Sequence, residues 1–188
     1  LQWSKLKSTL EEFICSSLKN RIKLHATVYR KSHDGPSRVW ITLDKKEIFS
    51  ASMITYEVEH AKLYEKIKAE RKLKPIPYSS DWRQMFHSKE REALIKASNE
   101  IDNMLINQGI FDPFDVYQPF MAYNSLAIED AIKSPDVFTR AFAMFDKRLG
   151  KRRLLKIGLP SNAHPLIVKF YKIRCEAEGM YLSCINRE

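Results

Sequence analysis

The stretch Ile22-Lys23-Leu24-His25-Ala26-Thr27-Val28, followed after a break by Val39-Trp40-Ile41-Thr42-Leu43 and then by Phe49-Ser50-Ala51-Ser52-Met53, decides the fold class. In each piece apolar and polar residues alternate with period two, which predicts half-buried strands with one face turned to a core. Asp34, Gly35 and Pro36 lie together between the first two pieces and turn the chain. Asp44 to Glu47 forms a short polar turn between the second and third, so the reading is a three-stranded antiparallel meander across Ile22–Met53.

Helical spacing takes over on both sides. Leu6, Leu10, Phe13, Ile14 and Leu18 predict a first helix from an N-cap at Ser4 to about Leu18. Val58, Ala61, Tyr64 and Ile67 predict a helix after the third strand, ended by Pro75 and Pro77. Beyond the prolines, Leu94, Ala97, Ile101, Met104 and Leu105 form a stripe closed by Gly109, with Ile110 placed for the contact that accompanies a glycine cap. Asp112-Pro113, Ser134-Pro135 and His164-Pro165 each read as an N-cap followed by proline in the first helical position. They open helices over Phe114–Tyr123, with a kink or split at Pro119, over Val137–Leu149, and over Leu166–Glu178 before Gly179. The expected architecture is α+β: residues 1–74 as an αβββα unit, and residues 75–188 as a helical bundle packed on it.

Composition narrows the function classes. With 188 residues, 44% hydrophobic and 29% charged, the chain suits one globular domain. No apolar run approaches the roughly 20 residues of a membrane span. Lys5 and Lys7 interrupt Leu1–Leu10, so no secretory signal is expected there and the cytoplasm is the default compartment. Cys15, Cys175 and Cys184 show no CxxC spacing, which argues for buried thiols over a metal knuckle or disulfide framework. Five scattered glycines provide no phosphate loop. Neither cofactor nor resident metal is expected, and oligomeric state is not legible.

Charge is unevenly placed. Residues 1–74 hold 16 basic side chains against 9 acidic, residues 75–146 hold 6 against 11, and residues 147–188 hold 10 against 3. Two basic ends around an acidic middle suit a polyanion or an acidic protein partner. Arg148, Lys151, Arg152 and Arg153 are the densest group and the candidate phosphate-binding residues, able to neutralise a backbone without reading bases. The competing role for them is a solvated helix end that pairs with the acidic middle. Phe138, Phe142 and Phe145 fall at helical spacing and are assigned to the core.

An enzymatic alternative uses Asp34, Asp44 and Lys46, with Glu11 or Glu12, as the carboxylates and lysine of a metal-dependent nuclease, since such chemistry needs two carboxylates on a cation and a lysine to organise water. A non-enzymatic binding module is the favoured reading, with no catalytic residue assigned. An inhibitory or immunity-type partner protein is the third class.

Trp3-Ser4-Lys5-Leu6-Lys7, Tyr29-Arg30-Lys31-Ser32-His33, Trp40-Ile41-Thr42-Leu43-Asp44, Arg148-Leu149-Gly150-Lys151-Arg152-Arg153-Leu154, His164-Pro165 and Arg174-Cys175-Glu176-Ala177-Glu178-Gly179 together resemble a family of small uncharacterised bacterial proteins across nearly the whole chain. That resemblance implies a bacterial cytoplasmic setting and carries no site residues. The order helix, three strands, helix up to Lys72 is also similar to a double-stranded RNA-binding domain, which grips duplexes by shape. Where that domain starts its last helix with lysines, this sequence has Ile54, Thr55, Tyr56, Glu57 and Glu59.

Overall fold

The computed structural model describes residues 3–28 and 36–180. Its strands are β1 (Ile22–Thr27), β2 (Arg38–Leu43) and β3 (Lys46–Ser52), antiparallel in the order β1-β2-β3. Leu43 pairs with Lys46, so the β2–β3 turn has only two residues, Asp44 and Lys45, both at positive φ (49° and 70°). This is the twist-matched hairpin geometry, entered here without glycine. A bulge at Ile41/Thr42 shifts the register by one residue. Leu24, Val39, Ile41 and Ala51 are almost fully buried, as the alternation requires.

The helices are α1 (Trp3–Phe13), α2 (Met53–Glu70), α3 (Trp82–Phe86), α4 (Lys89–Asn107), α5 (Pro113–Tyr123), α6 (Ile128–Lys133), α7 (Val137–Ala143), α8 (Lys151–Leu154) and α9 (Pro165–Ala177). The architecture is α+β. Asp112 and His164 cap α5 and α9 through Phe114 N–H (2.7 Å) and Leu166 N–H (3.1 Å). Gly109 and Gly179 close α4 and α9 at φ 80° and 69°. Ile110 N–H then bonds the Leu105 carbonyl (2.9 Å) and Met180 N–H that of Cys175 (2.9 Å), the wrap of a glycine-terminated helix.

Several elements depart from expectation for identifiable reasons. Helix α1 stops at Phe13, not Leu18, because the next residues pair with a distant segment. Cys15 N–H donates to Phe145 O (2.9 Å), Lys147 N–H to Phe13 O (2.6 Å), and Ile14 bridges Asp146. The same pairing ends α7 at Ala143, six residues before the expected end. Ser134 closes α6, and Asp136 caps α7 by accepting from Thr139 N–H (2.6 Å). Helix α5 runs through Pro119, and Phe120 and Tyr123 just beyond it are buried. That burial offsets the one backbone bond the proline removes.

By its contacts the chain divides into two compact units, one comprising Leu1–Ser52 with Asp112–Glu188, the other Met53–Phe111. The divisions between these units fall at Ser52 and Phe111. Helix α2 belongs with α4: Tyr56 Oη donates to Asp102 Oδ1 (2.5 Å), and Ile67 packs with Ala97, Ile101 and Leu105. In the first unit, the sheet's inner face meets an aromatic core. Phe49 contacts Phe138 (ring centroids 5.1 Å), Phe120 contacts Phe138 and Phe142 (4.9 and 5.3 Å), and Phe145 stacks on Phe170 (4.4 Å). The assignment of Phe138, Phe142 and Phe145 to the core is met, each being 1% exposed or less.

Candidate anion-binding surface

The pleat that buries Leu24 and Ile41 sends Lys23, His25, Arg38, Trp40 and Thr42 to the other face of the sheet. His25 lies directly opposite Trp40 in the register, and the two half-buried rings stack with centroids 4.9 Å apart and planes 11° apart. The Arg38 guanidinium sits 4.9 Å from the Trp40 ring centre. It is held by Glu47 Oε2 (2.6 Å) and Ser50 Oγ (3.1 Å). His25 Nε2 lies 3.0 Å from Thr42 Oγ1. Burial, and then the positive charges of Lys7 and Lys23 against the opposing Glu11, lower the His25 pKa, so the ring is an uncharged stacking partner at neutral pH.

This ledge forms one wall of a groove of about 580 Å³, also lined by Asn20, Arg21, Lys23, Asp44 and Lys45. Arg21 grips Asp44 through two nitrogens (2.6 to 3.2 Å). The hydrogen bond and charge of Asp44 raise the Arg21 pKa, and the bond from Arg21 lowers that of Asp44. The pair is open to solvent and orders the rim without adding much stability. Lys23 lies 3.5 Å from Glu11, while Lys45 forms no salt bridge among the described residues. The groove therefore offers ammonium groups beside an aromatic ledge.

The C-terminal basic residues behave differently from one another. Arg148 is half-buried and committed to the fold: its Nε and Nη2 donate to the fully buried Asp146 carboxylate (2.7 to 3.2 Å), and its Nη1 to Leu126 O (2.8 Å). Its guanidinium lies over the rings of Phe13 (4.3 Å) and Tyr123 (5.5 Å). Tyr123 Oη donates to the same carboxylate (2.9 Å), and burial, with Asp146 beside it, pushes the phenol far above its ordinary range. Lys151 pairs with Glu178 (2.9 Å), and Arg153 with Glu129 and the Arg148 carbonyl. Arg152, fully at the surface, forms no salt bridge among the described residues. Of the four candidate residues, only Arg152 keeps its charge unshared.

Two residues outside the sequence candidates organise this region. Buried Arg174 donates to the carbonyls of Met144, Asp146 and Leu149 (3.1 to 3.3 Å) and to Glu178 Oε1 (2.9 Å). Glu178 also accepts from Ser17 Oγ (2.8 Å). The i,i+4 spacing of Arg174 and Glu178 is the sequence signal, but the carbonyls they gather come from a turn that spacing does not reveal. Burial works against the Glu178 charge. The bonds from Lys151 and Ser17 and the charge of Arg174 outweigh it, leaving the pKa below the ordinary value. A depressed carboxyl pKa adds stability that is present above the unfolded value and lost as pH falls through the folded one. Urea midpoints of the wild type and Glu178→Gln are thus expected to differ most at neutral pH and to converge below about pH 4.3, the ordinary glutamate value. A constant gap across that range rejects this origin of acid sensitivity.

The nuclease candidates are not gathered on a cation site among the described residues. Asp34 lies outside them, the Asp44 carboxylate is committed to Arg21, and Lys46 sits on the exposed start of β3. Glu11 accepts from Leu24 N–H (3.1 Å) and pairs with Lys7 and Lys23. Among the described residues no helix is long and apolar enough to cross a membrane.

Fold and surface together define an α+β protein with a divided N- and C-terminal core and an open, aromatic and basic sheet face. The sequence matches the SF0329 protein family over residues 2–175, and the chain belongs to that family. No curated protein and no solved structure matches it.

Proposed function

We propose that the chain is a non-enzymatic binding module for single-stranded nucleic acid, with the outer face of β1 and β2 as its contact surface. The observation that carries this is the Arg38–Trp40–His25 array standing beside the groove that holds Lys23 and Lys45. Unpaired bases stack on aromatic and imidazole rings whatever their identity, while nearby ammonium groups meet the phosphates. A duplex hides its base faces, so this ledge favours unpaired strands. Arg152 and the neighbouring Lys147 and Lys156 offer a second place for backbone contact.

Fluorescence anisotropy with a mixed-sequence single strand and its duplex, at two salt concentrations, tests the reading. The single strand is expected to bind more tightly, with affinity falling steeply as salt rises through release of condensed counterions. Trp40→Ala removes a stacking contact of about 1–3 kcal/mol, roughly 5- to 150-fold in Kd. Lys45→Glu weakens all sequences alike and flattens the salt slope. No binding at low salt, or binding that is unchanged in both variants, overturns the assignment and leaves an acidic protein partner as the better candidate.

A further inference from the structure

We infer that the unit Met53–Phe111 is a self-association module, in which the α2–α4 hairpin of one chain packs against the same hairpin of a second copy to make a four-helix bundle. Its apolar residues are divided in an unusual way. Ile67, Ala97, Ile101 and Leu105 form a buried cluster between α2 and α4, with Tyr56, Leu63, Tyr64, Leu73 and Ile110 packed partly buried against it. Most of the exposed large apolar side chains of the described chain lie in this same unit, among them Ile54 (57%), Val58 (46%), Tyr78 (90%), Trp82 (65%), Phe86 (47%) and Ile95 (38%). Scattered exposed apolar residues need no explanation, but a concentration of them on one small unit marks an interaction surface.

The placement of these residues fits helix packing. On α2, Ile54, Val58, Ala61 and Glu65 follow one another at steps of four, three and four, and on α4 Arg91, Ile95 and Ser98 do the same. Residues of both stripes line a groove of about 500 Å³. Its lining includes the small side chains Ala61 and Ser98, which let another helix approach closely, and the apolar Ile76, Leu94 and Ile95.

Charge selects the occupant. Residues 53–111 hold 10 basic side chains against 9 acidic, so this unit is almost neutral while the chain as a whole carries +9. A near-neutral surface does not repel its own copy. The groove also carries one charge of each sign, Glu65 and Arg91. A twofold interface uses the same patch on both subunits and must be complementary to itself. A patch with both signs meets that condition: Glu65 of each copy faces Arg91 of the other, and each exposed Ile95 packs on the apolar lining of the other groove. A polyanion has no reason to choose this unit.

Sedimentation equilibrium of the full chain, over a hundred-fold range of concentration, is the test. A reversible monomer–dimer equilibrium is expected for the wild type. Ile95→Asp and Ala61→Arg are expected to raise the dissociation constant at least ten-fold while far-UV circular dichroism stays unchanged. Glu65→Arg and Arg91→Glu each weaken the dimer, and a mixture of these two variants restores association as a heterodimer. Rescue also shows that both variants are folded, because an unfolded chain has no such face to pair. A wild type monomeric at every concentration overturns the inference, as does a dimer that is unaffected by all four substitutions. Stable folded monomers that take up an unrelated amphipathic helix in the groove also overturn it, since the occupant is then another protein.

Discussion

Substituting Arg174 by alanine is expected to remove about 3–5 kcal/mol of stability, the cost of breaking a buried pair by deleting one partner. The guanidinium is 3% exposed and is shared among three carbonyls of the turn after α7 and the Glu178 carboxylate, itself only 6% exposed. Without it, three backbone carbonyls lose a buried donor, and Glu178 keeps only Lys151 and Ser17 as partners. Against a typical total of about 5–15 kcal/mol, the loss brings the chain close to unfolding at ordinary temperature. Arg174→Met fills much of the space but supplies no donor, so it is expected to lose nearly as much. Urea melts followed by circular dichroism decide the matter: a midpoint for Arg174→Met equal to wild type would show that packing, not hydrogen bonding, is what the residue provides.

Removing the Asp146 carboxylate is the second large effect. Asp146→Ala leaves the Arg148 guanidinium between Phe13 and Tyr123 without its counter-charge, and the Tyr123 hydroxyl without its acceptor. A loss of about 3–5 kcal/mol is expected again. The informative control lies four residues from Arg148. Arg152→Glu reverses a charge in the same basic run, yet is expected to change stability by no more than about 0.5 kcal/mol, as exposed substitutions do. Equal destabilisation by Asp146→Ala and Arg152→Glu would refute the division of this run into an interior part and a surface part.

That division explains why the sheet was easier to read from the sequence than the site. Alternation over Ile22–Thr27 and Arg38–Leu43 is a local signal, and it separated Leu24 and Ile41 from His25 and Trp40 with no knowledge of the rest of the chain. The caps at Asp112 and His164 are equally local. Helix α1 carried a clear helical pattern to Leu18, but the backbone at Cys15 exchanged its own helix for Phe145, a competition decided by residues far away in sequence. Helix α2 was read correctly as a helix, whereas its attachment to α4 depends on the Tyr56–Asp102 and Ile67–Ile101 contacts, which no period reveals. Arg148, Lys151, Arg152 and Arg153 look alike as letters. Only the fold shows that Asp146, Glu178 and Glu129 claim three of them.

The first unit is assembled from two stretches of chain, separated by the whole of Met53–Phe111. On the ribosome, β1, β2 and β3 emerge before any of the helices that bring Phe120, Phe138 and Phe170 to Phe49. At about 5–20 residues per second, the intervening unit alone delays those partners by several seconds. During that time the apolar face around Phe49 lacks Phe138 and Phe170, a state exposed to aggregation. The bond between Ser17 and Glu178, 161 positions apart, can form only after both of those stretches have been made. Truncation shortly before α9 therefore does more than remove one helix: it withholds Arg174 and Phe170 from a core that has been waiting for them since β3 was made.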